Sequence, residues 1–432
     1  MFRPSMLIPV RRRLWSKAAL VASTCLILPS RSHIPGSTLR WCAAASGSHH
    51  GDEPSDGSAE GTCTTLESNQ YIAGGAATAS NCNSDSMLQH YPVGLGTYGL
   101  PPDQAVGAIQ SAISVGYRRI DCAPVYFNED KIGDAFQQIL TSSASSPHAT
   151  SMSTSISTTA HANTNSNTKK DSENSIDRED LYVVSKLASP FHRKEHVELA
   201  LRKTLNDLRL EYLDLFLIHW PPAFEYVDID LTQRGYANED IDDSDDGRKI
   251  DATVSIHETW HAMEQLVHRG LVKQIGVSNF SVSLLHELMT RCIIPPAVNQ
   301  VEAHPYLQQT KLLRYCQKRG VHFQAYSPLG TPGFKESEEP MVLHDPVLRS
   351  IAASHNASAA VVCLAWAIQR GTSVVVKSAS AQRQAENLSV ANADTSIRLT
   401  DAEIGRISKL DRGYRFFRPE DWWGELGMAV FD

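Results

Sequence analysis

Residues 181–219 read LYVVSKLASPFHRKEHVELALRKTLNDLRLEYLDLFLIH, and this stretch holds one full repeating unit of the chain. Leu181–Lys186 is a short apolar run, Lys194–Leu208 carries apolar residues at helical spacing, and Leu213–His219 is a second apolar run. A buried strand, a helix and another buried strand in that order predict a parallel pair joined by a helical crossover.

The same alternation continues on both sides. Strands are expected at Val93–Thr97, Arg118–Asp121, Leu181–Lys186, Leu213–His219, Val272–Val277, Ala297–Gln300, His322–Tyr326 and Val374–Val376. Helical spacing marks Asp103–Val115, Asp130–Leu140, Lys194–Leu208, Ser255–Arg269, Ser281–Arg291, Thr310–Arg319 and Ser358–Arg370. Gly270, Gly320 and Gly371 stand where three of these helices should stop. Eight strands in this alternation predict an α/β protein, a (β/α)8 TIM barrel. A doubly wound sheet stays open as an alternative, because strand order is not written in the sequence.

Three tracts fall outside that pattern. Residues 1–88 read as a targeting leader and disordered extension, ending in a Gly-, Ser- and Asn-rich run with little to bury. The barrel is assigned to 89–432, with a Ser/Thr-rich insertion at about 141–176 and an acidic one at about 223–250 that contains EDIDDSDDGRK. The first 51 residues hold no Asp or Glu and carry Arg11, Arg12, Arg13 and Lys17 ahead of the apolar run Ala18–Leu28, which is too short for a membrane span. A signal peptide and an organellar transit peptide both fit. A membrane is therefore expected only for a targeting step.

A net charge of -8 supplies no basic field for nucleic acid. The eight cysteines form no CxxC pair and no zinc-ligand spacing with His, so they read as reduced thiols and no metal is expected.

Polar residues collect at the C-terminal strand ends, where barrel enzymes build their sites: Asp121, Lys186, His219, Ser278, Asn279, Gln300 and Ser327. Lys186 follows a buried strand, and a buried ammonium requires an anion, which Asp121 could supply. Tyr126, five residues after Asp121, would feel Lys186. That charge favours the phenolate and lowers the tyrosine pKa from about 10, so Tyr126 could donate a proton near neutral pH. His219 could donate a hydrogen bond to a carbonyl oxygen. Taken singly, each of these residues has an ordinary structural reading.

The motifs GLGTY, DCAPVY, VVSKL, LIHWP, GVSNF, NQVEAHPY, AYSPLG and VVVKS occur in this order, and from about Val93 onward the chain resembles the aldo-keto reductases, in the branch of aldose, xylose and aldehyde reductases. The resemblance implies a catalytic tetrad of Asp121, Tyr126, Lys186 and His219, with hydride passing from a nicotinamide to a carbonyl carbon. It implies that Ser278, Asn279 and Gln300 hold the carboxamide and that Tyr326 stacks on the ring. Gly96, Thr97, Asp121, Ser327 and Leu329 would line the pyrophosphate and ribose. No GxGxxG opens a helix after the first strand. In VVVKSASAQRQAEN, Lys377, Ser378, Arg383, Glu386 and Asn387 match the residues that hold adenosine and its 2′-phosphate, and two cations there argue for NADPH.

Two departures from the family pattern stand out. Pro124 precedes Tyr126 by two residues and should only stiffen the loop. The YIAGGAATASNCN stretch is atypical of the hairpin that plugs the barrel bottom. Tyr98, Phe127, His219 and Trp220 are expected to wall the substrate, together with the tail FFRPEDWWGELGMAVFD. Trp422 and Trp423 either line the pocket or pack the tail.

The substrate expected is a small carbonyl compound, and the chain is expected to act as a monomer or weak dimer. One rival reading is a non-catalytic NADPH-binding subunit of the same fold; another is a metal-dependent hydrolase using His219, His304 and Asp121. Sequons at Asn279, Asn356 and Asn387 bear on the compartment. A glycan at Asn279 or Asn387 would block the cofactor site, which favours an organelle, plastid or mitochondrion, over secretion, with the cytoplasm left open.

Overall fold

A computed structural model describes residues 88, 90–144, 176–235, 249–332, 339–392, 396–423, 430 and 431. The leader, the proposed plug stretch, most of the Ser/Thr-rich insertion, the core of the acidic insertion and the Trp422 side chain lie outside those residues.

Eight parallel strands close in sequential order into a barrel: β1 Val93–Gly96, β2 Arg119–Asp121, β3 Tyr182–Leu187, β4 Leu213–Ile218, β5 Val272–Ser278, β6 Val298–Glu302, β7 His322–Tyr326 and β8 Ser373–Val376. The ring closes through β1 and β8, with Leu95 paired to Val376. Each expected strand is present to within two residues, and closure excludes the open sheet.

Around the barrel run α1 Pro102–Ser114, α2 Glu129–Ala144, α3 Lys194–Leu208, α4 Ile256–His268, α5 Val282–Met289, α6 Thr310–Arg319, α7 Pro346–Ser354, α8 Ala359–Gln369, α9 Ala381–Leu388 and α10 Asp401–Ser408. Gly270, Gly320 and Gly371 all adopt left-handed φ, between 70° and 83°, as the helix stops require. Helix α2 continues to Ala144, past the expected start of the Ser/Thr-rich tract.

Strand alternation sorts the side chains. Ile120, Val183, Phe216 and Ile275 face the helices in the main core. Tyr182, Val184, Leu215, Leu217 and Val298 point into the barrel, where Leu88 packs against them and is 1% exposed. Burying a leucine there contributes about 2 kcal/mol.

The described flanks of the acidic insertion, residues 223–235 and 249–250, are tied to the barrel. Phe224 and Ile250 bridge at its base. Gly235 donates to Asp207 Oδ1 at 2.9 Å and accepts from Lys203 Nζ at 2.9 Å, while Arg234 bonds Asp134 at 2.9 Å. The buried Lys203–Asp207 pair on α3 thus gives Gly235 a fixed landing point.

Candidate active site

Tyr126 is delivered by one turn of 3-10 helix, Pro124–Tyr126, directly after β2. Pro124 opens the turn with its fixed φ, and Phe127, at φ 54°, ends it in the left-handed region. Asn128 then reaches across to the loop after β1, its Nδ2 donating to the carbonyls of Thr97 (2.9 Å) and Leu100 (3.0 Å). That bond fixes the segment carrying Tyr98, whose ring centroid stands 5.1 Å from that of Tyr126.

The Asp121 carboxylate is shared between two partners. Lys186 Nζ donates to its Oδ1 at 2.5 Å and to the Cys122 carbonyl at 2.9 Å; Gln300 Nε2 donates to its Oδ2 at 2.6 Å. Both charges are almost fully enclosed, at 1% exposure for Lys186 and 3% for Asp121, so each depends on the other. The ammonium sits 5.0 Å from the centre of the Tyr126 ring.

His219 directly follows β4, its ring centroid 5.9 Å from that of Tyr126. Burial, then the Lys186 charge and His192, hold its pKa well below the ordinary histidine value. That shift favours the neutral imidazole, which can donate or accept a hydrogen bond. Its carbonyl accepts from Asn279 Nδ2 at 3.0 Å, and Asn279 Oδ1 accepts from Tyr326 Oη at 2.9 Å. Ser278 Oγ donates to the Gln300 carbonyl at 2.8 Å. Asn279 and Ser327 both hold positive φ, at 65° and 48°, a strain that clusters at binding sites.

Thr97 Oγ1 donates to the Asp121 carbonyl at 2.8 Å. At Gly96 a Cβ would stand 2.9 Å from Val375 Cγ1, so the close passage of β1 past β8 requires glycine. Its neighbour across that seam is the start of the β8–α9 segment. There Lys377 and Arg383 are exposed while Ser378 and Asn387 are buried. Burial and then Arg383 lower the Lys377 pKa, so two cations already crowd one another. Ser380 caps α9, leaving its N-terminus beside Ser378, and Gln384 bolts the helix to α1 through Ala108 and Ser111. Two cations at a helix N-terminus suit a phosphate monoester. Glu386 lies half-buried on the same helix.

The expected substrate walls separate. Tyr98 is 40% exposed at the mouth. Phe127 packs half-buried against the main core, and Leu329 does likewise. Trp220 stands 6.2 Å from His219 between ring centroids but is buried with Phe224 and Trp423. Trp423 meets Trp220 at 5.4 Å and Phe224 at 5.3 Å, so this tryptophan packs the tail.

Phe417, which the sequence reading placed only within the tail, lies 5.8 Å from Tyr98 and 5.6 Å from Tyr326. The tail is docked by Glu302, whose carboxylate accepts from the amides of Phe416 (2.8 Å) and Phe417 (3.2 Å) and lies 3.0 Å from His304 Nε2. Gln324 accepts from Gln300 Nε2 at 2.8 Å, and with Glu302 and Asn128 it braces the residues around the site. Glu302 and Gln324 are polar residues between apolar chain neighbours, a signal available in the sequence. His304 is occupied with Glu302, and among the described residues no three His, Cys, Asp or Glu side chains group as a metal site would require.

The sequence profile of the Aldo/keto reductase family matches residues 92–412. Aldo-keto reductase family 1 member A1 of Gallus gallus is 39% identical over 329 residues, covering 76% of this chain and 87% of its own length. An aldo/keto reductase of Synechocystis sp. is 40% identical over 334 residues, covering 76% and 88%. The Homo sapiens member A1 is 35% identical over 329 residues, with the same 76% and 88%.

Proposed function

The chain belongs to the aldo/keto reductase family, and on that premise we propose that it reduces aldehydes or ketones, open-chain sugars among them, to alcohols with NADPH, Tyr126 giving the proton. The observation that carries the reading is the enclosed Lys186–Asp121 pair, 2.5 Å apart, beneath the Tyr126 ring.

When bound, the dihydronicotinamide supplies hydride to the carbonyl carbon. Ser278, Asn279 and Gln300 would hold its carboxamide, with Tyr326 against the ring. Gly96, Thr97, Ser327 and Leu329 would follow the pyrophosphate and ribose. Lys377, Ser378, Arg383, Glu386 and Asn387 would take the adenosine and its 2′-phosphate.

The chain's own groups handle the oxygen. Neutral His219 donates a hydrogen bond to the carbonyl oxygen and fixes its approach to Tyr126. Tyr126 Oη transfers its proton to that oxygen as negative charge develops there. Lys186 favours the resulting phenolate, and Asp121 keeps the ammonium in place. Tyr98, Phe127 and Trp220 belong to the same proposal as apolar surroundings for the substrate. The leader, with its early arginines and lack of acid, supports delivery to an organelle.

A screen of aldehydes with NADPH tests the reading. Tyr126→Phe should abolish turnover while NADPH still quenches tryptophan fluorescence as in wild type. A residual rate above about one tenth of wild type would remove Tyr126 from the acid role. Binding of NADPH with no turnover on any carbonyl would instead favour a non-catalytic NADPH-binding subunit.

A further inference from the structure

One residue pair below the catalytic carboxylate, the barrel interior holds a second cation. Alternate residues of a strand share a face, so Arg119 and Asp121 of β2 both point inward while Ile120 between them joins the helix-facing core. Arg119 is fully enclosed, at 0% exposure, and stands in register with Tyr182. Its Nη2 donates to the carbonyls of Val374 (2.6 Å) and Pro92 (3.2 Å). Nε and Nη1 have no hydrogen-bond partner among the described residues. Gly94 makes the room: a Cβ there would stand 2.6 Å from Arg119 Nε.

The titratable and charged groups facing it can be enumerated strand by strand. β2 presents Asp121; β3 presents Tyr182 and Lys186; β7 presents His322; β1 and β8 present Gly94 and Ser373, which carry no charge. Tyr182 is engaged with Gln274 at 2.7 Å. His322 pairs with Ser373 at 2.8 Å and is neutral, its pKa lowered to about 4 by burial and then by Arg119. Among these groups Asp121 is the one anion, set between two buried cations. A guanidinium buried with most of its donors unmet weakens a fold, and an apolar side chain would fill the space without that penalty.

We propose that Arg119 is a positioning residue of the reduction: its buried positive charge, one layer beneath Asp121, holds that carboxylate in place against Lys186 and, together with the ammonium, favours release of the Tyr126 proton. The inference rests on the reading of Tyr126 as proton donor. Its test uses the free enzyme, with neither carbonyl nor NADPH.

Tyrosinate ultraviolet absorbance is titrated in wild type and in Tyr126→Phe, and the difference isolates Tyr126. The same difference is taken between Arg119→Met and the Arg119→Met, Tyr126→Phe double variant. The Tyr126 midpoint should move up by about half a pH unit in Arg119→Met, and Arg119→Lys should restore most of the shift. An unchanged midpoint in a folded neutral variant overturns the proposal. If circular dichroism shows Arg119→Met unfolded, Arg119→Gln replaces it. Should neither neutral variant fold while Arg119→Lys does, the role is structural and the proposal falls. A failed substrate screen leaves this titration standing, and an unchanged midpoint leaves the reduction reading intact.

Discussion

Lys377 and Arg383 show how a single position can be argued from charge. They are exposed on the β8–α9 segment, and Arg383 contributes to lowering the Lys377 pKa, so a bound 2′-phosphate would relieve a repulsion as well as form ion pairs. Lys377→Ala and Arg383→Ala should each weaken NADPH by about 10- to 100-fold, and NADH by less than about threefold, in fluorescence titrations. Equal losses for both cofactors would remove the 2′-phosphate assignment. Residues such as Asp121, Lys186 and His219 were legible because a polar group ending an apolar run is costly to bury without a purpose. The direction of the Phe127 side chain was not, since the left-handed backbone that sets it depends on the short helix before it. Arg119 and Gln324 share the inward phase of Asp121 and Tyr326, yet that phase has meaning only once the sheet is known to close.

Elements that owe their form to local periodicity were readable, and those held by distant partners were not. Helix α7 follows a Gly-, Glu- and Pro-rich stretch of sequence that hides it, although Asp345 caps it and Pro346 occupies its first turn. The tail reads as aromatic and apolar, but its course is set by backbone amides donating to Glu302, 114 and 115 residues away. Leaving a buried amide without its acceptor costs about 1–3 kcal/mol. Glu302→Ala should therefore release the tail: amide hydrogen exchange at Phe416 and Phe417 should quicken by at least about tenfold. Aldehyde KM should rise, because Phe417 would leave Tyr98 and Tyr326. Unaltered exchange would show that the Trp220–Phe224–Trp423 cluster holds the tail by itself.

Across the whole molecule, the buried titratable groups set a pH optimum of stability. Burial, the largest effect, raises the Glu129 pKa to about 8 despite its hydrogen bonds from Ser185 (2.6 Å) and Thr204 (3.1 Å). Below its unfolded value the native protonated form costs nothing extra; as pH rises toward 8 the unfolded chain ionises first, so stability falls by about 1.4 kcal/mol per unit. Burial lowers His192 to about 3 and His322 to about 4, and depresses His219 strongly. For these three the unfolded state binds protons first, and stability is lost as pH drops below about 6.5, at roughly three times that slope. The opposing trends predict a maximum in the urea midpoint near pH 6.5. Glu129→Gln, which keeps an acceptor for one of the two hydroxyls, should flatten the alkaline side into a plateau and steepen the acid limb between about pH 4.5 and 6.5, where Glu129 opposes the histidines. A Glu129→Gln protein whose midpoint still declined between pH 6.5 and 8 would mean that another buried acid governs that limb.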